Sequence, residues 1–122
     1  MNPVSYFEIP VLDMDRAIRF YEAVFGHALE RASVDGNEMA FFAHAPGREG
    51  ASGALAKGDS YRPSRDGARL YFDVPDIEAV LARALAQGAE LLYPVTGVGS
   101  FGFVAEFADC EGNCIALHAQ AR

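Results

Sequence analysis

Two short stretches of alternating sequence carry most of the polar chemistry in this chain. Tyr6 and Glu8 stand two apart within Ser5–Val11, on the opposite side from Phe7, Ile9 and Val11. Arg69, Tyr71 and Asp73 stand likewise opposite Leu70, Phe72 and Val74. Alternation of this kind marks a strand packed on one side and open on the other, so these five side chains belong to open faces. An Arg guanidinium presents a planar fork suited to a carboxylate or phosphoryl group, and tyrosine rings suit an apolar body. An alternative is that Glu8 and Arg69 neutralise each other as an ion pair, because charges drawn away from water are normally paired. Further on, His118 lies two positions beyond Ala116 and shares its face, and Glu106 belongs to the preceding strand. Three or four of Glu8, Asp73, Glu106 and His118, if they converged, would suit a divalent ion. A lone histidine near a strand end is more often a surface or hydrogen-bonded residue.

The other candidates have plainer readings. Cys110 and Cys114 are too few for a closed zinc site, and an intracellular pair is usually reduced. They read as small inert hydrophobes, with a regulatory disulfide as the alternative. Gly97, Gly99 and Gly102 invite a phosphate-loop reading, but no helix follows to receive an anion, which leaves a loop at the mouth of a site. His27 follows Gly26 and His44 precedes Pro46, both at solvent-facing element ends. Phe41, Phe42, Phe101 and Phe103 are core or wall residues, and Phe103 is taken as part of a ligand-facing wall. No Ser-His-Asp or Cys-His arrangement has support.

The elements that must position these residues are stated twice. Phe7–Ala17 and Leu70–Val80 match at one constant offset, Val11 with Val74, Asp13 with Asp76, Met14 with Ile77 and Asp15 with Glu78. Each copy reads as a strand, a helix-capping Asp and an amphipathic helix. The first helix should bury Met14, Ala17, Ile18, Tyr21, Val24 and Phe25 and end at Gly26. The second should bury Ile77, Val80, Leu81, Ala84 and Leu85 and end at Gly88. Further strands are predicted over 29–34 and 38–43, reversed at Asp35-Gly36-Asn37, and over 53–56, 90–93, 101–108 and 114–119. Pro46–Ser52 and Pro94–Gly99 read as loops, and Asp109–Asn113 as the last reversal. A polar stretch, 57–67, connects module 4–56 to module 68–119. A long repeat occurring twice indicates two half-domains rather than a solenoid.

Composition narrows the function. At 122 residues the chain makes one domain, and 51% hydrophobic with 22% charged residues is ordinary for a globular protein. A net charge of −7, with one lysine and scattered arginines, excludes the clustered cations that nucleic acid demands. No apolar run is long enough to span a membrane, and the N-terminus lacks the regions of a signal peptide. A cytoplasmic protein is expected.

The paired modules, the string Asp13–Tyr21 running to Phe25-Gly26, and the ending Asp109–Leu117 together resemble the vicinal oxygen chelate superfamily. That group includes glyoxalase I, extradiol dioxygenases, and bleomycin- and fosfomycin-resistance proteins. The resemblance spans about Val4 to Ala119. It implies an α+β fold in which two βαβββ modules form a curved mixed sheet around a cavity, commonly within a homodimer. It also implies that the metal ligands of the metal-dependent members fall at Tyr6, Arg69, Ala116 and a position near Ala54 or Ala56. A phenol, a guanidinium and a methyl group cannot make that site, since a guanidinium has no lone pair to give and repels a cation. The reading that follows is a metal-free protein holding a small organic molecule against Tyr6, Glu8, Arg69, Tyr71, Phe103 and His118, with no cofactor. The alternative is a metal-dependent lyase, isomerase or dioxygenase with a displaced site using Glu8 and His118.

Overall fold

The computed structural model describes residues 2–44, 47 and 50–121. Part of the loop expected over Pro46–Ser52, including Pro46 itself, lies outside the described residues. The first module runs β1 (Tyr6–Pro10), α1 (Met14–Phe25), β2 (Leu29–Val34), β3 (Asn37–Phe42) and β4 (Ser52–Lys57). The second runs β5 (Leu70–Asp73), α2 (Ile77–Ala86), β6 (Glu90–Gly97), β7 (Phe103–Ala108) and β8 (Cys114–Ala119). Each module builds one four-stranded mixed sheet, in the orders β1-β4-β3-β2 and β5-β8-β7-β6. β1 lies parallel to β4 and β5 parallel to β8, and the other pairs are antiparallel.

Both helices start as the sequence requires. The Asp13 carboxylate accepts from Arg16 N and the Asp76 carboxylate from Ala79 N, each at 3.1 Å, which satisfies one of the orphan donors at each N-terminus. Gly26 ends α1 in the left-handed conformation with φ 76°. One continuous core joins the modules, with Ile9, Val11, Phe20, Tyr21 and Leu55 from the first and Ile77, Val80, Phe107, Ile115 and Leu117 from the second. Each such side chain contributes about 1.5–3 kcal/mol by leaving water. The edge strands β1 and β5 approach through Phe7 and Phe72, whose rings meet edge-on at 5.7 Å.

Some local expectations change. Phe20 is buried although it lay outside the expected stripe, and it packs its ring against Tyr21 and Phe107. Leu85, placed in the second stripe, is exposed. β6 continues through Pro94 to Gly97 where a loop was expected, with register shifts between Leu91 and Thr96. It is an edge strand, where proline's missing N–H breaks no ladder and bulges are tolerated. β7 begins at Phe103 rather than Phe101, because Gly99–Phe101 forms a 3-10 turn and Gly102 follows it at φ 96°. A Cβ on Gly102 would lie 2.1 Å from the Ala119 carbonyl oxygen, so only glycine fits this close approach.

Candidate functional site

Alternation along β1 sends Phe7 and Ile9 into the core and leaves Tyr6 and Glu8 exposed on the other side. Beneath them on the same side of the first sheet lie Ala54 and Ala56 of β4 and Met39 and Phe41 of β3, a second small hydrophobic cluster. Tyr61, from the connector, packs its ring on this cluster. Its hydroxyl donates to Glu8 Oε1 at 2.7 Å, and the Tyr6 hydroxyl donates to Glu8 Oε2 at 3.0 Å. Burial, then the hydrogen bond to Glu8, push the Tyr6 phenol up to about 12. The hydrogen bond to Glu8 likewise raises Tyr61. Both phenols therefore stay protonated at neutral pH. A groove of about 660 Å³ opens beside Tyr6 and Phe41, with Glu30 and His44 among its walls.

The open face of the second sheet is arranged in rows. Tyr71, Ala116 and Glu106 align across β5, β8 and β7, and so do Asp73, His118 and Val104. Arg69 Nη1 lies 3.2 Å from Glu106 Oε2. A hydrogen bond with Tyr71 and the charge of Glu106 hold the guanidinium in its charged form. The Cys114 thiol donates to Glu106 Oε1 at 3.7 Å, and burial followed by the Glu106 charge raises its pKa. His118 is held at both ring nitrogens, Nδ1 2.6 Å from Asp73 Oδ1 and Nε2 2.6 Å from the Phe101 carbonyl oxygen. A carbonyl and a carboxylate only accept, so the arrangement favours a proton on each nitrogen. The Asp73 hydrogen bond and the Phe101 carbonyl raise the imidazole accordingly.

Tyr6, Glu8, Tyr71 and His118 thus stand on the open faces, as does Arg69, whose side chain is about half exposed at 52%. Two expectations are corrected. Glu8 and Arg69 do not pair with each other, because Glu8 is taken by two phenols and Arg69 by Glu106 on its own sheet. Phe103 does not join the ligand-facing wall; it packs against the hydrophobic core on the same side of β7 as Ala105 and Phe107. Residue 103 shares the parity of Ala105 and Phe107, whose side chains face the core. Glu106 lies opposite Ala116 on the open face.

Sequence reasoning missed Tyr61, which sits in a polar connector with no periodicity to announce it. It also missed the hydrogen bonds that the last reversal makes with the first module. The Tyr21 hydroxyl donates to Asp109 Oδ2 at 2.5 Å, and Asn113 Nδ2 donates to the Pro10 carbonyl at 2.8 Å. Glu111 accepts from Leu12 N, Asp13 N and Arg16 Nη2. Cys110 packs against the core and burial pushes its thiol up to about 11, whereas Cys114 belongs to the open face with Glu106.

The model of the glyoxalase/bleomycin resistance protein/dioxygenase superfamily matches residues 4–117. The chain belongs to that superfamily. A glyoxylase-like domain-containing protein of Didymella fabae is 31% identical over 122 residues, covering 93% of this chain and 91% of its own. Among solved structures, the genomically encoded fosfomycin resistance protein FosX of Listeria monocytogenes is similar, with a TM-score of 0.73 at 20% identity. That alignment covers 99% of this chain and 95% of FosX. TnmS3, an antibiotic binding protein from Streptomyces sp. CB03234, is similar with a TM-score of 0.70 at 23% identity, covering 99% and 98%.

The resemblance read from the sequence implies that the ligands of metal-dependent members fall at Tyr6, Arg69, Ala116 and near Ala54 or Ala56. Under that correspondence the side chains present offer no such donor set. The Tyr6 phenol holds its proton, Arg69 is a cation, and Ala54, Ala56 and Ala116 are fully buried methyl groups. Nor, among the described residues, do three His, Cys, Asp or Glu side chains group as a metal site would require. Glu8 and His118 are engaged with different partners on different sheets.

Proposed function

We propose that this superfamily member holds a small organic molecule on the open faces of its sheets and does so without a divalent ion. The observation that carries the reading is the exposure of Tyr6 and Tyr71 on these faces, joined to a phenol, a guanidinium and a methyl group at the positions that the family resemblance assigns to ligands. A tyrosine offers a large apolar surface with a polar tip, which suits an organic ligand in a partly wet site. The similarity to an antibiotic binding protein and to a fosfomycin resistance protein supports a small-molecule role. In this reading a second copy of the chain completes the hollow, as is common in the superfamily, and the protein acts by sequestration. Arg69, already balanced by Glu106, contributes shape and polarity more than net charge.

The test is equilibrium dialysis of the purified protein against zinc, nickel, manganese and iron(II), followed by elemental analysis. Retention well below one ion per chain is expected for every metal. One ion per chain, lost in Glu8→Gln and in His118→Ala while both variants stay folded, would replace this reading with a metal-dependent enzyme.

A further inference from the structure

The polarity of the first sheet's open face selects among organic molecules, taking the ligand-binding reading above as its premise. A carboxylate at neutral pH only accepts hydrogen bonds, so Tyr6 and Tyr61 must both direct their single O–H at Glu8. What the cluster turns outward is acceptors alone: two phenolic oxygens and the remaining lone pairs of the carboxylate. No Lys, Arg or His among the described residues forms an ion pair with Glu8. Arg62 and Asp66 line the neighbouring recess with Glu8, and Glu30 and His44 line the groove on the Tyr6 side. On the second sheet Arg69 already faces Glu106, and Arg65 pairs with Glu90 of β6.

We infer that Tyr6, Glu8 and Tyr61 form a subsite for a protonated amine, the ammonium group of a small organic molecule whose apolar part lies against Phe41 and the Tyr6 ring. An ammonium is complementary on both counts. It supplies up to three donors to an acceptor-only cluster, and its charge is attracted by the carboxylate and by the faces of nearby aromatic rings. An anion would meet the charge of Glu8, with both phenol protons already committed to that carboxylate. Tyr61 acts here as a positioning residue: its ring covers the small cluster of Met39, Ala54 and Ala56, and its hydroxyl orients Glu8.

The experiment compares three aromatic probes of similar size, benzylamine, benzyl alcohol and benzoate, by amide chemical shifts of the full chain at pH 7 and low salt. Benzylamine is expected to perturb Tyr6, Glu8 and Tyr61 and to bind about fivefold or more tightly than benzyl alcohol, the scale of an exposed charge pair. In the isosteric Glu8→Gln variant that preference should fall below about twofold, while Arg62→Ala leaves it in place. Benzoate or benzyl alcohol binding as tightly as benzylamine would overturn the inference, as would a preference that survives Glu8→Gln. Failure of all three probes to perturb these residues would overturn it as well. Binding of the alcohol or benzoate to the open face without an amine preference removes the subsite and leaves the small-molecule reading standing. Stoichiometric metal would remove that reading instead.

Discussion

Glu111 is the side chain through which the second module holds the start of the first helix, and its removal has a calculable cost. Its carboxylate is wholly shielded from solvent and receives Leu12 N at 2.7 Å, Asp13 N at 3.2 Å and Arg16 Nη2 at 2.7 Å. A hydrogen bond to a charged partner is worth about 1.5–3 kcal/mol. Leu12 is exposed and the Arg16 side chain is 48% exposed, so water recovers part of what Glu111→Ala releases. A net loss of about 2.5 kcal/mol is expected, close to that of one strong buried hydrogen bond. With about 2.1 cal/mol/K of unfolding entropy per residue, this lowers Tm by about 10 °C for a chain of 122 residues. Glu111→Gln keeps one acceptor oxygen and should lose about half as much. Arg16→Ala should cost under about 1 kcal/mol, because its ion pair is partly solvated. Thermal and urea unfolding of the three variants measure this directly. A Glu111→Ala protein melting within about 2 °C of the parent would refute the clasp, since that shift corresponds to well under 1 kcal/mol at this size.

Two further outcomes follow from the geometry of single residues. His118 has its pKa raised above 6.5 in the folded state by the Asp73 hydrogen bond, then by the Phe101 carbonyl. Its contribution to stability is therefore fully present below 6.5 and is lost as pH rises through the folded-state value. An NMR titration of the ring should show the raised value in the parent and a return toward 6.5 in Asp73→Asn; an identical midpoint in both would show that Asp73 has no part in it. Gly53 lies opposite Phe7, and a Cβ there would sit 2.3 Å from the ring. Gly53→Ala should displace Phe7 and cost about 1–3 kcal/mol by overpacking. An unchanged urea midpoint would mean that the ring moves aside freely.

Much of the fold was legible because it rests on local periodicity. A period of two in 5–11 and 68–74 placed Tyr6 and Glu8 opposite Phe7 and Ile9, and Tyr71 and Asp73 opposite Leu70 and Phe72, and the observed strands keep those sides. Asp13, Asp76 and Gly26 marked helix ends through their own capping chemistry. The weaker readings failed where tertiary context overrode local signals. Pro94 does not stop β6, because an edge position leaves its missing donor unneeded. Phe103 faces inward with Ala105 and Phe107, because the core lies on that side of β7.

The sequence by itself determined that two similar modules place Tyr6 and Arg69 at matching positions, since this follows from order and spacing along one chain. Only the tertiary structure decided who meets whom. Glu8 meets Tyr61, 53 positions away, and Arg69 meets Glu106 rather than Glu8. Glu111 reaches back across 99 positions to Leu12. Electrostatic and hydrogen-bond partners are chosen by distance in space, and a connector such as 57–67 carries no periodic signal to say where its one aromatic ring will come to rest.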